Sequence, residues 1–131
     1  ENMARTLNYH NGEKIIEAGK VEQRMFIILE GSVDILLSDG KSVITVATLG
    51  KGDFFGEISL FNQSPRSATV VAHGDVHLAY IDSREQLKSF LMVNPAFAAK
   101  MVHILAARLA ETDKILIGKV SEVNRLQLIG R

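Results

Sequence analysis

A chain of 131 residues with 47% hydrophobic and 23% charged residues has the size and balance of one globular domain, able to bury a core without covalent staples. Fifteen basic and fifteen acidic residues cancel, which argues against nucleic acid as this domain's main partner. Cysteine is absent, which excludes thiolate zinc sites, iron–sulfur clusters, cysteine nucleophiles and disulfides, and is compatible with the cytosol, the compartment expected here.

Residues 1–12 carry little pattern beyond the Asn11-Gly12 turn signal. Short runs rich in Ile, Val, Leu and Thr follow, at Lys14 to Ala18, Met25 to Glu30, Ser32 to Ser38 and Ser42 to Leu49, with glycines between or beside them. Such spacing predicts an antiparallel sandwich or barrel, and Asp39-Gly40 reads as a two-residue hairpin turn. Val33, Ile35 and Leu37 alternate with Asp34, Leu36 and Ser38, which predicts one buried face. Two more strands, Ser67 to Ala72 and Val76 to Asp82, are expected on either side of a His73-Gly74-Asp75 turn. From Ser83 the period becomes helical. Ser83 with Gln86 forms a capping box, and Asn94-Pro95 opens a second, long helix whose stripe runs through Phe97, Met101, Ile104, Leu105 and Leu109. Leu116, Val120, Val123 and Leu126 prolong that stripe beyond what a small roll covers, so a homodimer through the C-terminal helix is expected.

The chemistry concentrates between Phe54 and Val70. Gly56 lets the backbone turn sharply and a ligand come close, and Glu57 to Phe61 can form one short helical turn with outward-facing amides. Free N–H groups favour a phosphate, and Arg66 adds planar, permanently charged donors that grip two phosphate oxygens at once. Glu57 is acceptor-only when ionised, so its natural partner is a pair of sugar hydroxyls. Phosphate plus ribose means a nucleotide. The competing reading of Glu57 and Arg66 is a plain ion pair closing a loop.

The strings Gly56-Glu57-Ile58-Ser59-Leu60 and Pro65-Arg66-Ser67-Ala68-Thr69-Val70 resemble the phosphate-binding cassette of the cyclic nucleotide-binding domain family, which serves bacterial transcription regulators, kinase regulatory subunits and ion channels. The resemblance implies a mainly β member of the α+β class. It would be one domain over 1–131, with an eight-stranded antiparallel, jelly-roll-like β-roll at about 12–82, an inserted cassette, and C-terminal helices at about 83–129. It also implies that Gly56 allows close approach, Glu57 binds the ribose 2′-hydroxyl, the amides of Ile58 and Ser59 bind exocyclic oxygens, Arg66 binds the cyclic phosphate, and Ser67 adds a hydroxyl to phosphate or base. The long helix would read the purine edge through Thr112, favouring cyclic AMP, or Asp113, favouring cyclic GMP; adjacent helical residues point about 100° apart, so one of the two faces the ligand. Cyclic AMP is the expected ligand.

The implied role is a regulatory sensor that switches a dimer or an attached output domain, foremost that of a transcription regulator. Leu128-Ile129-Gly130-Arg131 resembles the hinge that precedes a helix-turn-helix in that branch. The alternatives are a cyclic-GMP-binding regulatory domain of a channel, transporter or kinase, and a ligand-free interaction module, although the latter usually lacks the Glu57 or Arg66 found here. An enzyme is not expected. His10, His73, His77 and His103 lack the spacing of a cupin or phosphodiesterase metal set, and Ser59, Ser64 and Ser67 have no histidine partner placed by the sequence. A haem sensor has no use for Glu57 with Arg66. No metal, cofactor, direct nucleic-acid contact or membrane segment is expected, since no apolar run reaches bilayer-spanning length.

Overall fold

Six strands pair antiparallel into one sheet whose main path runs β1 (Arg5–Tyr9), β6 (Thr69–Ile81), β3 (Met25–Ser38), β4 (Val43–Gly50). β2 (Lys14–Ile16) pairs with β6, and β5 (Phe54–Phe55) pairs with β3. This computed structural model describes residues 5–111, which fall into two compact units, one reaching Phe90 and one starting at Leu91.

Antiparallel, mainly β architecture with C-terminal helices agrees with the sequence reading, but six strands stand where eight were expected. The expected strands Met25 to Glu30 and Ser32 to Ser38 are one strand, β3, and Ser67 to Ala72 with Val76 to Asp82 are one strand, β6. Glycine was the reason for expecting breaks, and here it bends strands without ending them. Between Ile28 and Ser32 the β3–β6 register slips twice. At the centre of that bulge Gly31 has φ +89°, and a Cβ built there would lie 2.3 Å from the carbonyl oxygen of Asp75 on β6. Only glycine fits both the left-handed backbone and the close crossing.

The bends fold the sheet around a core that includes Ile16, Phe26, Ile28, Val33, Phe55 and Leu78, with the Phe26 and Phe55 rings stacked at 5.1 Å. β1 was not foreseen. It contributes Leu7 and Tyr9 to that core and leaves Arg5, Thr6 and Asn8 outside or half outside. The alternation along β3 works as expected only near its middle, where Val33 is fully buried; Leu37 is exposed. Pairing with β6 ends at Leu36 opposite Thr69, so beyond it the β3–β4 hairpin has no third strand, and Val43, Ile44 and Val46 are exposed as well. Its tip is a four-residue loop instead of a two-residue turn, because the Asp39 carboxylate accepts from the amides of Lys41 and Ser42, both at 2.9 Å.

After β6, α1 (Arg84–Val93) is capped as foreseen: the Gln86 amide donates to Ser83 Oγ at 3.1 Å, and Gln86 Oε1 accepts from the Asp82 amide at 3.0 Å. α2 starts at Pro95 and is described to Glu111. Along its stripe Met101 is buried, whereas Leu105 and Leu109 are exposed. Among the described residues no single helix is long and apolar enough to cross a membrane.

Replacing Gly31 with alanine is expected to lower the unfolding free energy by roughly 2–4 kcal/mol, from the left-handed strain and the forced separation of β3 from β6. Urea denaturation monitored by circular dichroism reads this as a lower midpoint; an unchanged midpoint would mean that the bulge relaxes around a side chain.

Candidate functional site

β5 delivers the chain from the core to the site: Phe54 and Phe55 are buried, and the next residue, Gly56, turns the backbone with φ +80°. A Cβ there would stand 3.0 Å from both the Arg24 carbonyl oxygen and Arg66 Nη1, so the bare Cα makes room for the guanidinium. A single 3-10 turn, Glu57–Leu60, follows, closed by the amides of Phe61 and Asn62 donating to the Ile58 carbonyl at 3.0 and 2.9 Å. The turn expected from sequence is present, with one difference in its donors. The Ser59 amide points back to the Gly56 carbonyl at 3.3 Å, and Ser59 Oγ lies 2.8 Å from that oxygen and 2.9 Å from the Arg24 carbonyl. Ser59 thus braces the turn internally.

Arg66 is fixed at both ends. Its amide donates to the Lys20 carbonyl and its carbonyl accepts from the Gly19 amide, each at 2.8 Å, which ties the loop after β2 to the segment that carries Arg66. Its side chain is only 8% exposed. Nη1 donates to the Gly56 carbonyl at 3.2 Å and Nη2 to the Arg24 carbonyl at 2.6 Å, while Glu22 Oε1 stands 3.7 Å from Nη2. The Nε–H is buried without a hydrogen-bond partner. Burial pulls the guanidinium pKa below its ordinary value, against the attraction of Glu22 and, less strongly, Glu57.

Around this group lies a cavity of about 200 Å³. Ile16, Ile35, Phe55 and Val70 give it an apolar floor, and Glu57, Asn62, Ser64, Arg66 and Ser67 give it polar walls. Gly56, Glu57, Ile58, Ser59, Arg66 and Ser67 all line this one space. Glu57 is buried by the fold, at 8% exposure, so a carboxylate and a guanidinium share a secluded pocket. Thr112 and Asp113 lie outside the described residues.

Sequence reasoning missed Glu22 and Arg24, which hold Arg66 from behind. Arg24 Nε donates to Glu22 Oε1 at 3.1 Å, and its guanidinium lies over the rings of Phe26 (5.2 Å) and Tyr80 (5.0 Å). The signal available was an arginine directly ahead of the apolar run from Met25, a position that says nothing of a partner 42 residues away. The histidines are engaged elsewhere: His73 Nδ1 lies 2.8 Å from Asp34, His77 Nδ1 2.6 Å from Asn8, and His10 Nδ1 3.3 Å from Asp75. Among the described residues no group of three His, Asp or Glu side chains is placed to hold a metal ion.

Residues 6–94 match the family described as the cyclic nucleotide-binding domain. The chain belongs to the cyclic nucleotide-binding domain family. It is 32% identical over 126 residues to the cAMP-activated global transcriptional regulator CRP of Pasteurella multocida, covering 94% of this chain and 57% of that protein. To the cAMP-dependent protein kinase type II regulatory subunit of Drosophila melanogaster it is 40% identical over 76 residues, 57% of this chain and 20% of the subunit. The crystal structure of the Thermus thermophilus catabolite activator protein superposes with a TM-score of 0.71 at 32% identity, over 86% of this chain and 53% of that one. These relatives are regulatory proteins by name, and the chain spans from a fifth to somewhat over half of their lengths.

Gly56→Ala is expected to reduce stability by about 1–3 kcal/mol, since the methyl must sit in a left-handed backbone and against Arg66. Thermal and urea unfolding check this, and loss of the Arg66 Nη1 contact should appear as faster side-chain hydrogen exchange at Arg66.

Proposed function

We propose that this domain is a sensor for a cyclic purine nucleotide, foremost cyclic AMP, which it binds in the cavity shared by Glu57 and Arg66. The observation that carries the reading is the Arg66 guanidinium: almost fully buried, with an Nε–H that has no hydrogen-bond partner, carbonyls on its Nη groups and Glu22 3.7 Å from Nη2. A buried charge left in this state is costly, and an anion with several acceptor oxygens compensates both the charge and the open donor. The carbonyls take two of the five guanidinium N–H groups, which leaves enough for a two-point grip on a phosphate.

Glu57, secluded in the same cavity, accepts from the ribose 2′-hydroxyl in this reading. Gly56 lets the ligand approach, the Ile58 and Ser59 amides take exocyclic oxygens, and Ser67 supplies its hydroxyl to phosphate or base. Because the Ser59 amide already has a long bond to Gly56, its share is the weaker of the two. Cyclic AMP is preferred because the transcriptional regulator and the kinase subunit above carry that nucleotide in their names. Thr112 fits that choice, and Asp113 would serve cyclic GMP.

A cavity of about 200 Å³ is less than a nucleotide fills, so the base needs cover from beyond it. The C-terminal helix provides that cover in this proposal, burying apolar surface around Leu105 and Leu109, which are exposed here. Its shift alters a homodimer contact or the angle to a following domain, so the output is a population shift and not chemistry. The 32% identity over 126 residues to a transcriptional regulator supports a transcription regulator as the whole protein.

Calorimetric titration with cyclic AMP and cyclic GMP tests the reading. Arg66→Ala is expected to weaken binding by about 2–4 kcal/mol through loss of a charge-assisted, bidentate pair. Glu57→Ala is expected to weaken the cyclic nucleotide and to erase most of its advantage over a 2′-deoxy analogue. Parent-like affinity in either variant would overturn the corresponding role, and no binding of either nucleotide by the parent would overturn the function.

A further inference from the structure

Arg66 lines two spaces, the first of them the cavity described above. The second is a space of about 180 Å³, walled by Lys14, Glu17, Lys20 and Glu22. The carboxylates of that space are divided between cations. Glu17 is held by Lys14 at 3.4 Å and Lys20 at 2.9 Å, which leaves Glu22 facing Arg24 at 3.1 Å and Arg66 at 3.7 Å. Glu22 cannot easily follow Arg66, because its nearer partner is anchored: Arg24 lies over two rings, and its carbonyl accepts from both Arg66 and Ser59.

We infer that Glu22 is a positioning residue whose effect is electrostatic, a fixed internal counter-anion that partly compensates Arg66 and thereby lowers the affinity of the site for its phosphate. The inference rests on the reading of Arg66 as the phosphate-binding group. Glu22 is the strongest attractive charge acting on Arg66, ahead of Glu57. A phosphate bound to the same guanidinium stands inside the Debye length of about 8 Å, so its repulsion from Glu22 is only partly screened. Affinity is traded for partial compensation of the cation when the ligand has left.

Glu22→Gln separates charge from shape, since the amide oxygen still accepts from Arg24 Nε and the volume is kept. The variant is expected to bind cyclic AMP roughly 3–10-fold more tightly at low salt, with the gain shrinking as KCl is raised. The 2′-deoxy analogue should gain by the same factor, because Glu22 acts at the phosphate end. Unchanged or weaker binding, or a gain independent of salt, would overturn the proposal; weaker binding with a lower melting temperature would mark Glu22 as a purely structural brace. If neither parent nor variant binds a cyclic nucleotide, the functional reading fails by itself, and the Glu22–Arg66 coupling is then decided without ligand. NMR exchange of the Arg66 Nε–H should be faster in Glu22→Gln, and an unchanged rate would overturn the coupling.

Discussion

A guanidinium that is nine-tenths buried, with backbone carbonyls as its nearest partners, is the constraint on which the rest of this site depends. Two carbonyls, those of Gly56 and Arg24, must point at one place from segments far apart in sequence. That requires Gly56 to turn through a left-handed conformation with no Cβ in the way, and Arg24 to hold its backbone still at the start of β3. Arg24 is held by its own side chain, lying between Phe26 and Tyr80, rings that belong to β3 and β6. The placement of one charge therefore runs back through a carbonyl, a cation over two rings, and the pairing of the two longest strands.

Those strands show why the roll can carry such a site. β3 and β6 pair along most of their lengths, and the bulge around Gly31 bends them without breaking the ladder. A break would have left unpaired N–H and C=O groups in the middle of the molecule; a bulge confines that loss to the short stretch between Ile28 and Ser32. Ile35 opposite Val70 lines the cavity, and the next pair, Asp34 opposite Val71, puts its carboxylate outside, where Thr48 at 2.7 Å and His73 at 2.8 Å hold its pKa below the usual range. The period of the strand thus separates an apolar floor from a polar exterior with no extra device.

Local features were legible in the sequence, and contacts across the chain were not. The turn at Gly56, the short helical turn after it, the cap formed by Ser83 with Gln86, and the start of α2 at Pro95 each rest on residues within a few positions of one another, and each stands where it was expected. The strand count failed because glycine has two meanings in a β region. At Gly31 and Gly74 it marks positive-φ bends within continuous strands, whereas the same residue type at Gly40 does lie in a hairpin loop. β1 was invisible because its two core residues, Leu7 and Tyr9, make too short a pattern to stand out from a polar segment. Glu22 and Arg24 were invisible for a different reason: their role exists only once the fold brings Arg66 beside them.

The division of the described chain also limits how binding can become a signal. A ligand shifts an equilibrium only by the difference in its affinity for the two states. Gly56, Glu57, Arg66 and Ser67 all belong to the unit that ends at Phe90, and the internal hydrogen bonds that fix Arg66 lie within it as well. In the proposed reading these residues meet phosphate and ribose, so they set how tightly a nucleotide is held. In that reading Glu22, 3.7 Å from Arg66, acts on the affinity for the phosphate.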